Sequence, residues 1–140
     1  MTGHRESIKA VVAKIGLDGH YRGVKFVART LADQGLEVVY LGANQTVEDV
    51  VDATVQEDAS LVALSFLSPD YRQHVPELLG ALSAAGMTNV VVVVGGLIAD
   101  NDRPALEQAG VGGIFGPATT AADIGRFLDD AFPVVTAPGA

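Results

Sequence analysis

The chain contains no cysteine and no tryptophan. Disulfides, thiolate catalysis and cysteine-ligated zinc or iron–sulfur centres are therefore excluded, while the redox compartment stays open. Aromatics are only 6% of 140 residues. Basic residues are scarce too: 9 against 17 acidic ones, a formal net charge of −8, with no lysine after Lys25. Such a balance argues against a nucleic-acid groove or an anionic membrane as the main partner. The longest aliphatic run, Val90 to Val94, is far too short to span a bilayer, and the start Met1-Thr2-Gly3-His4-Arg5-Glu6 lacks an apolar signal core. A cytoplasmic protein is expected. Hydrophobic residues nevertheless reach 49% against 19% charged, enough to bury the core of one domain.

Short β-branched runs alternate with longer amphipathic stretches. The pattern predicts strands at 9–15, 37–41, 61–65, 89–95 and 113–115, with helices at about 23–34, 47–57, 71–85, 103–108 and 121–130. Gly35 and Gly86 stand where left-handed helix ends are wanted. Thr46 with Asp49 forms a capping-box-like start. Val90 to Val94 is apolar on both faces, as a central parallel strand covered by helices must be. The expectation is an α/β fold: one doubly wound, flavodoxin-like sheet of five parallel strands in the order 2-1-3-4-5, with a switch point between strands 1 and 3. Residues 1–8 read as an N-terminal extension, 9–130 as the domain and 131–140 as a flexible tail.

Three short pieces fall where these strands end: Asp18-Gly19-His20-Tyr21-Arg22-Gly23, Ser65-Phe66-Leu67 and Gly95-Gly96. They are separated by residues 24–64 and 68–94. Ligands of open α/β sheets bind at that edge. Several functions of this fold do not fit. A phosphoryl receiver needs an Asp closing strand 3 and a Lys closing strand 5, and neither is present. Glycines 16, 19 and 23 do not make a dinucleotide fingerprint, the loop lacks the hydroxyls of a flavodoxin phosphate site, and there is no P-loop. What remains is an Asp and a His two residues apart. A metal-binding imidazole is neutral at its ligating nitrogen, and a carboxylate accepting the other N–H fixes the tautomer and raises basicity. The same pair also reads as a solvated histidine beside a capping aspartate, Ser65 as a turn serine and Gly95-Gly96 as a tight turn.

Taken together, D-x-H-x-x-G, S-x-L and G-G in this order and spacing resemble the cobalamin-binding domain of base-off, His-on B12 enzymes. The resemblance spans about Lys9 to Leu128. The stretches Lys14 to His20, Arg22 to Lys25, Ala28-Arg29, Gln56 to Ala59, Val75 to Leu78 and Val93 to Gly96 are most similar to methylmalonyl-CoA mutase and its relatives. Among these are isobutyryl-CoA and 2-hydroxyisobutyryl-CoA mutases, whose cobalamin domain can be a separate small subunit. The glutamate mutase small subunit shares the core motif but is less similar around it.

The resemblance implies roles. His20 would replace dimethylbenzimidazole as the lower axial cobalt ligand, Asp18 would accept its other N–H, and Lys14 would contact Asp18. Ser65 would hydrogen-bond the displaced base, and Leu67 would help form its slot. Gly95 and Gly96 would let the nucleotide tail run deep, Gly116 and Thr119 would close its pocket, and Gly23 would allow close approach of the first helix. Gly19 and Arg22 complete the cofactor-binding set, and no catalytic residue is implied on this subunit beyond cobalt ligation. The implied chemistry is that of an adenosylcobalamin-dependent acyl-CoA mutase: cobalt–carbon homolysis, hydrogen abstraction by the deoxyadenosyl radical, skeleton rearrangement and hydrogen return. A TIM-barrel large subunit would bind the acyl-CoA in a hetero-oligomer. A corrinoid carrier for methyl transfer and a non-catalytic cobalamin-binding protein stay open as alternatives. Tyr21, the bulky Phe66, and Ser68-Pro69-Asp70-Tyr71-Arg72-Gln73-His74 depart from the family pattern. Tyr21 and Tyr71 read either as surface aromatics or as contacts to a partner or corrin edge. The glycine-bearing loop at 16–23 is expected to move when empty.

Overall fold

The computed structural model describes residues 8–16 and 22–133. The readings on Asp18, Gly19, His20 and Tyr21, and those on the two chain ends, lie outside them.

Five strands, β1 (Lys9–Ile15), β2 (Glu37–Gln45), β3 (Leu61–Phe66), β4 (Val91–Gly96) and β5 (Gly113–Phe115), alternate with α1 (Arg22–Asp33), α2 (Val47–Glu57), α3 (Tyr71–Ala84), α4 (Arg103–Ala109) and α5 (Ala121–Ala131). The sheet order is β2-β1-β3-β4-β5, and every pairing is parallel. The expected topology is met, with the switch point between β1 and β3. Strand alternation sends side chains into two cores. Val11, Val62, Leu64, Phe66, Val92 and Val94 pack under α2, α3 and α4, while Ala10, Val12, Leu61, Ala63 and Val93 pack under α1 and α5. Apart from Leu61 and Phe66, the two ends of β3, all of these lie in strand interiors, which is why these strands read as continuous apolar runs.

Local chemistry sets the ends. The capping box at Thr46 and Asp49 forms with both bonds at 3.0 Å. A second one, at Thr120 and Asp123, starts α5 and was readable from the same S/T-x-x-D spacing. The strand ending at Leu41 in the sequence reading runs on to Gln45. Gly42 and Asn44 adopt positive φ, the register shifts against β1 between Val12 and Ile15, and the Gln45 side-chain amide donates to the carbonyls of Leu41 and Ala43. The glycine that would stop a strand here sits in a bulge held by a side chain three residues ahead.

Candidate functional site

Side chains on the α1/α5 face of the sheet shrink toward the carboxyl edge. Along β3 they run Leu61, Ala63, Ser65, and along the paired positions of β4 they run Val91, Val93, Gly95. The opposite face of β3 grows instead, through Val62 and Leu64 to Phe66. The taper leaves a cavity of about 480 Å³ between α1, α5 and the ends of β1, β3, β4 and β5. That volume is ordinary for a small-molecule site of about 300–1,000 Å³. The lining is mainly apolar, with Arg22, Ser65 and Thr119 as its polar side chains and no carboxylate among the described residues that form it. For a chain of net charge −8, that makes the slot locally compatible with an anion.

Eight residues singled out in the sequence meet there: Arg22, Gly23, Ser65, Leu67, Gly95, Gly96, Gly116 and Thr119. Two of the glycines differ in what a side chain would meet. A Cβ on Gly23 would stand 3.6 Å from Ser65 Oγ, an ordinary contact, so the approach of α1 to the serine does not by itself demand glycine. A Cβ on Gly96, where φ is +109°, would stand 1.9 Å from the Phe66 carbonyl oxygen. Gly96 is therefore required by the protein's own backbone, whatever lies in the slot. Lys14 is fully buried behind the site, and its ammonium donates to the Ser65 carbonyl at 3.2 Å. Asp18, Gly19 and His20 lie outside the described residues, and so does the expected Lys14–Asp18 contact.

The departures at positions 66 and 71 have a structural explanation. Phe66 does not crowd the slot. It is one residue out of phase with Ser65 and Leu67, so it points to the other face, 2% exposed, and meets Tyr71 edge-on at 6.1 Å. Tyr71 is neither a surface aromatic nor free to touch a partner, since it is 1% exposed. Its hydroxyl donates to Asp102 Oδ2 at 2.5 Å and accepts the Ala99 N–H at 3.0 Å. Arg72 Nε reaches the same carboxylate oxygen at 2.8 Å. The Tyr71 hydroxyl first, and Arg72 second, hold the Asp102 carboxyl below its usual range. The network pins the 3₁₀ turn at Asp100–Asp102, which the sequence reading missed. Leu97, just before this turn, donates its N–H to the Phe66 carbonyl at 3.0 Å. The segment leaving Gly96 is thus fastened at both ends.

Sequence reasoning also missed Phe26, Leu97 and Phe115 as walls. Phe26 follows Gly23 by three positions and so shares its helix face, and Leu97 follows Gly95 by two. Of five large hydrophobics left exposed among the described residues, three, namely Phe26 (42%), Leu67 (37%) and Leu97 (56%), border this cavity. Apolar surface gathered at one mouth marks a binding surface. Among the described residues, no helix is long and apolar enough to cross a membrane.

Comparison with known proteins gives the family. The profile of the B12 binding domain family matches residues 8–124. The pivalyl-CoA mutase small subunit of Xanthobacter autotrophicus is 42% identical over 117 residues, 84% of this chain and 78% of that one. The 2-hydroxyisobutanoyl-CoA mutase small subunit of Aquincola tertiaricarbonis is 40% identical over 74% of this chain and 76% of its own. Among solved structures, a cobalamin-binding protein from Desulfitobacterium hafniense superposes with a TM-score of 0.74 at 26% identity, covering 89% of this chain and 58% of that one.

Proposed function

The chain belongs to the B12-binding domain family, as a small subunit of the coenzyme-B12-dependent acyl-CoA mutases, and from that premise we propose how its residues serve the cofactor. The assembled enzyme is an isomerase in which this chain works with a large catalytic subunit. Bound adenosylcobalamin supplies the radical that starts the rearrangement. The large subunit is a TIM barrel that takes the acyl-CoA, and the complex is cytoplasmic. Residues 9–130 form the cofactor domain, with 1–8 and 131–140 as flanks.

One observation carries the site reading: an apolar slot without carboxylates, opened by shrinking side chains at the carboxyl edge, lined by eight of the motif residues. The residues fit a flat base on a nucleotide arm. Ser65 offers a single hydroxyl inside an otherwise apolar wall, which orients such a base. Gly95 leaves the β4 wall flat, and Leu67 and Phe26 cover the mouth. Gly116 and Thr119 close the end beyond β5. Burial at this site would keep water from the base, and His20 would be the residue that holds the cobalt. Asp18 would hold the proton on the imidazole nitrogen away from the metal, and Gly19 belongs to the same cofactor-binding set. Lys14, tied to the Ser65 carbonyl, would contact Asp18.

The test is spectroscopic. In the cob(II)alamin-loaded chain, the electron paramagnetic resonance signal should carry nitrogen superhyperfine coupling from the protein, and His20→Ala should abolish it. A coupling unchanged in that variant rejects His20 as the ligand. Asp18→Asn should leave the fold intact and weaken cobalamin binding by about 10- to 100-fold.

A further inference from the structure

Arg103 has no role in the site as described so far. It opens α4, beside the β5 end of the slot. Its Nε is buried and has no hydrogen-bond acceptor among the described residues. The nearest carboxylate oxygen, Asp100 Oδ1, is 3.4 Å away and outside bonding alignment, on a side chain that is 95% exposed. A solvated pair of that kind contributes little. The neighbouring Asp102 is already engaged by Tyr71 and Arg72, so Arg103 is left without a strong partner. The other end of its guanidinium lies at the slot wall: a Cβ on Gly116 would stand 3.8 Å from Nη2, and Gly116 lines the cavity. Gly116 thus stands beside both the guanidinium and the slot.

The Arg103 side chain is 39% exposed, and the nitrogen nearest the slot is Nη2; phosphate oxygens match the fork that such a guanidinium presents. The nucleotide arm of cobalamin carries one such group, its phosphodiester. We infer that Arg103 is a specificity-determining residue that recognises the phosphodiester of the cofactor's nucleotide arm across Gly116. The inference rests on the cobalamin reading above. It gives the acidic chain a means of selecting complete corrinoids over those that lack the arm. Arg22, on the α1 wall, is the cation on the opposite side.

The experiment compares three corrinoids on the full chain: adenosylcobalamin, adenosylcobinamide phosphate, and adenosylcobinamide, which has neither phosphate nor base. Affinities come from absorbance titration. Arg103→Gln should weaken the two phosphate-bearing ligands about tenfold, the scale of one charge-assisted hydrogen bond, and leave adenosylcobinamide unchanged. The salt dependence of cobalamin binding should flatten in the same variant. Arg103→Lys should fall between, because it keeps the charge and loses the fork. Gly116→Ala, whose methyl meets Nη2 at ordinary contact distance, gives an independent arm: it should reproduce the selective loss. Coenzyme A, the other phosphate-bearing molecule of the reaction, should not compete. Equal effects on all three corrinoids, no effect on any, or competition by coenzyme A would overturn the assignment of Arg103. A wild-type chain that binds none of the three would instead overturn the cobalamin reading beneath it.

Discussion

Adjacent glycines at the end of β4 should respond very differently to the same added methyl. Gly96→Ala places a Cβ 1.9 Å from the Phe66 carbonyl oxygen at a φ of +109°. A side chain in that conformation costs about 1–3 kcal/mol. The carbonyl cannot move aside freely, because it accepts the Leu97 N–H at 3.0 Å, and giving up that bond adds about 1 kcal/mol. The sum is about 2–4 kcal/mol, or a fall in melting temperature of about 8–16 °C for a domain of this size. Gly95→Ala meets the Phe115 carbonyl oxygen at 3.4 Å and the Leu64 carbonyl oxygen and Phe115 Cβ at 3.9 Å, normal contacts in an extended strand, and alanine regains some of the entropy that glycine loses. Its stability should stay within about 1 kcal/mol of wild type. The methyl enters the slot, however, where overpacking of about 1–3 kcal/mol translates into a loss of cobalamin affinity of about 5- to 150-fold. Circular-dichroism melts and absorbance titrations with adenosylcobalamin measure both. If Gly95→Ala melts as low as Gly96→Ala, or binds cobalamin like wild type, the division of labour between the two glycines is wrong.

Ser65→Ala should leave the melting temperature within about 2 °C and weaken cobalamin about tenfold by calorimetric titration, the scale of one buried hydrogen bond; unchanged affinity would remove Ser65 from the site. Tyr71→Phe should alter acid stability. The Asp102 carboxyl is held below its ordinary value by the Tyr71 hydroxyl and then Arg72, so its contribution is complete above the unfolded value near pH 4 and is lost as pH falls through the lower folded value. Urea melts should therefore show wild type losing more stability than Tyr71→Phe between pH 5 and 2.5, and parallel pH profiles would show that this network is not the acid-sensitive element.

The sequence made the topology readable because each strand is short, β-branched and bounded by helix punctuation, so β1, α2 and β5 fall where expected. The site was readable to the extent that it lies at strand ends, where the loop residues are few. What escaped depends on partners distant in sequence. Tyr71 sits in a polar stretch and gives no sign of burial; only the packing of α3 on β3 and the approach of Asp102, 31 residues on, put it in the core. Gln45 extends β2 by bonding carbonyls within its own bulge, a contact that residue preference alone does not encode. Phe66 looked too large for its motif because the motif was read as a string. Read with period 2, it belongs to the other face.

That same alternation explains why the slot lies under α1 and α5. Tapering Leu61–Ala63–Ser65 against Val91–Val93–Gly95 forgoes buried side chains at the very edge where a closed domain would place Leu or Ile, and each such truncation in a packed core costs about 2–5 kcal/mol. The opposite face compensates: Phe66 and Tyr71 fill it. A cofactor that fills the taper restores the missing contacts and stabilises the folded state in proportion to the logarithm of its free concentration over Kd. Binding and stability are therefore linked through the same few small residues. Any substitution that fills the slot to strengthen the apoprotein does so by excluding the ligand, which confines such gains to the α2/α3/α4 side of the sheet.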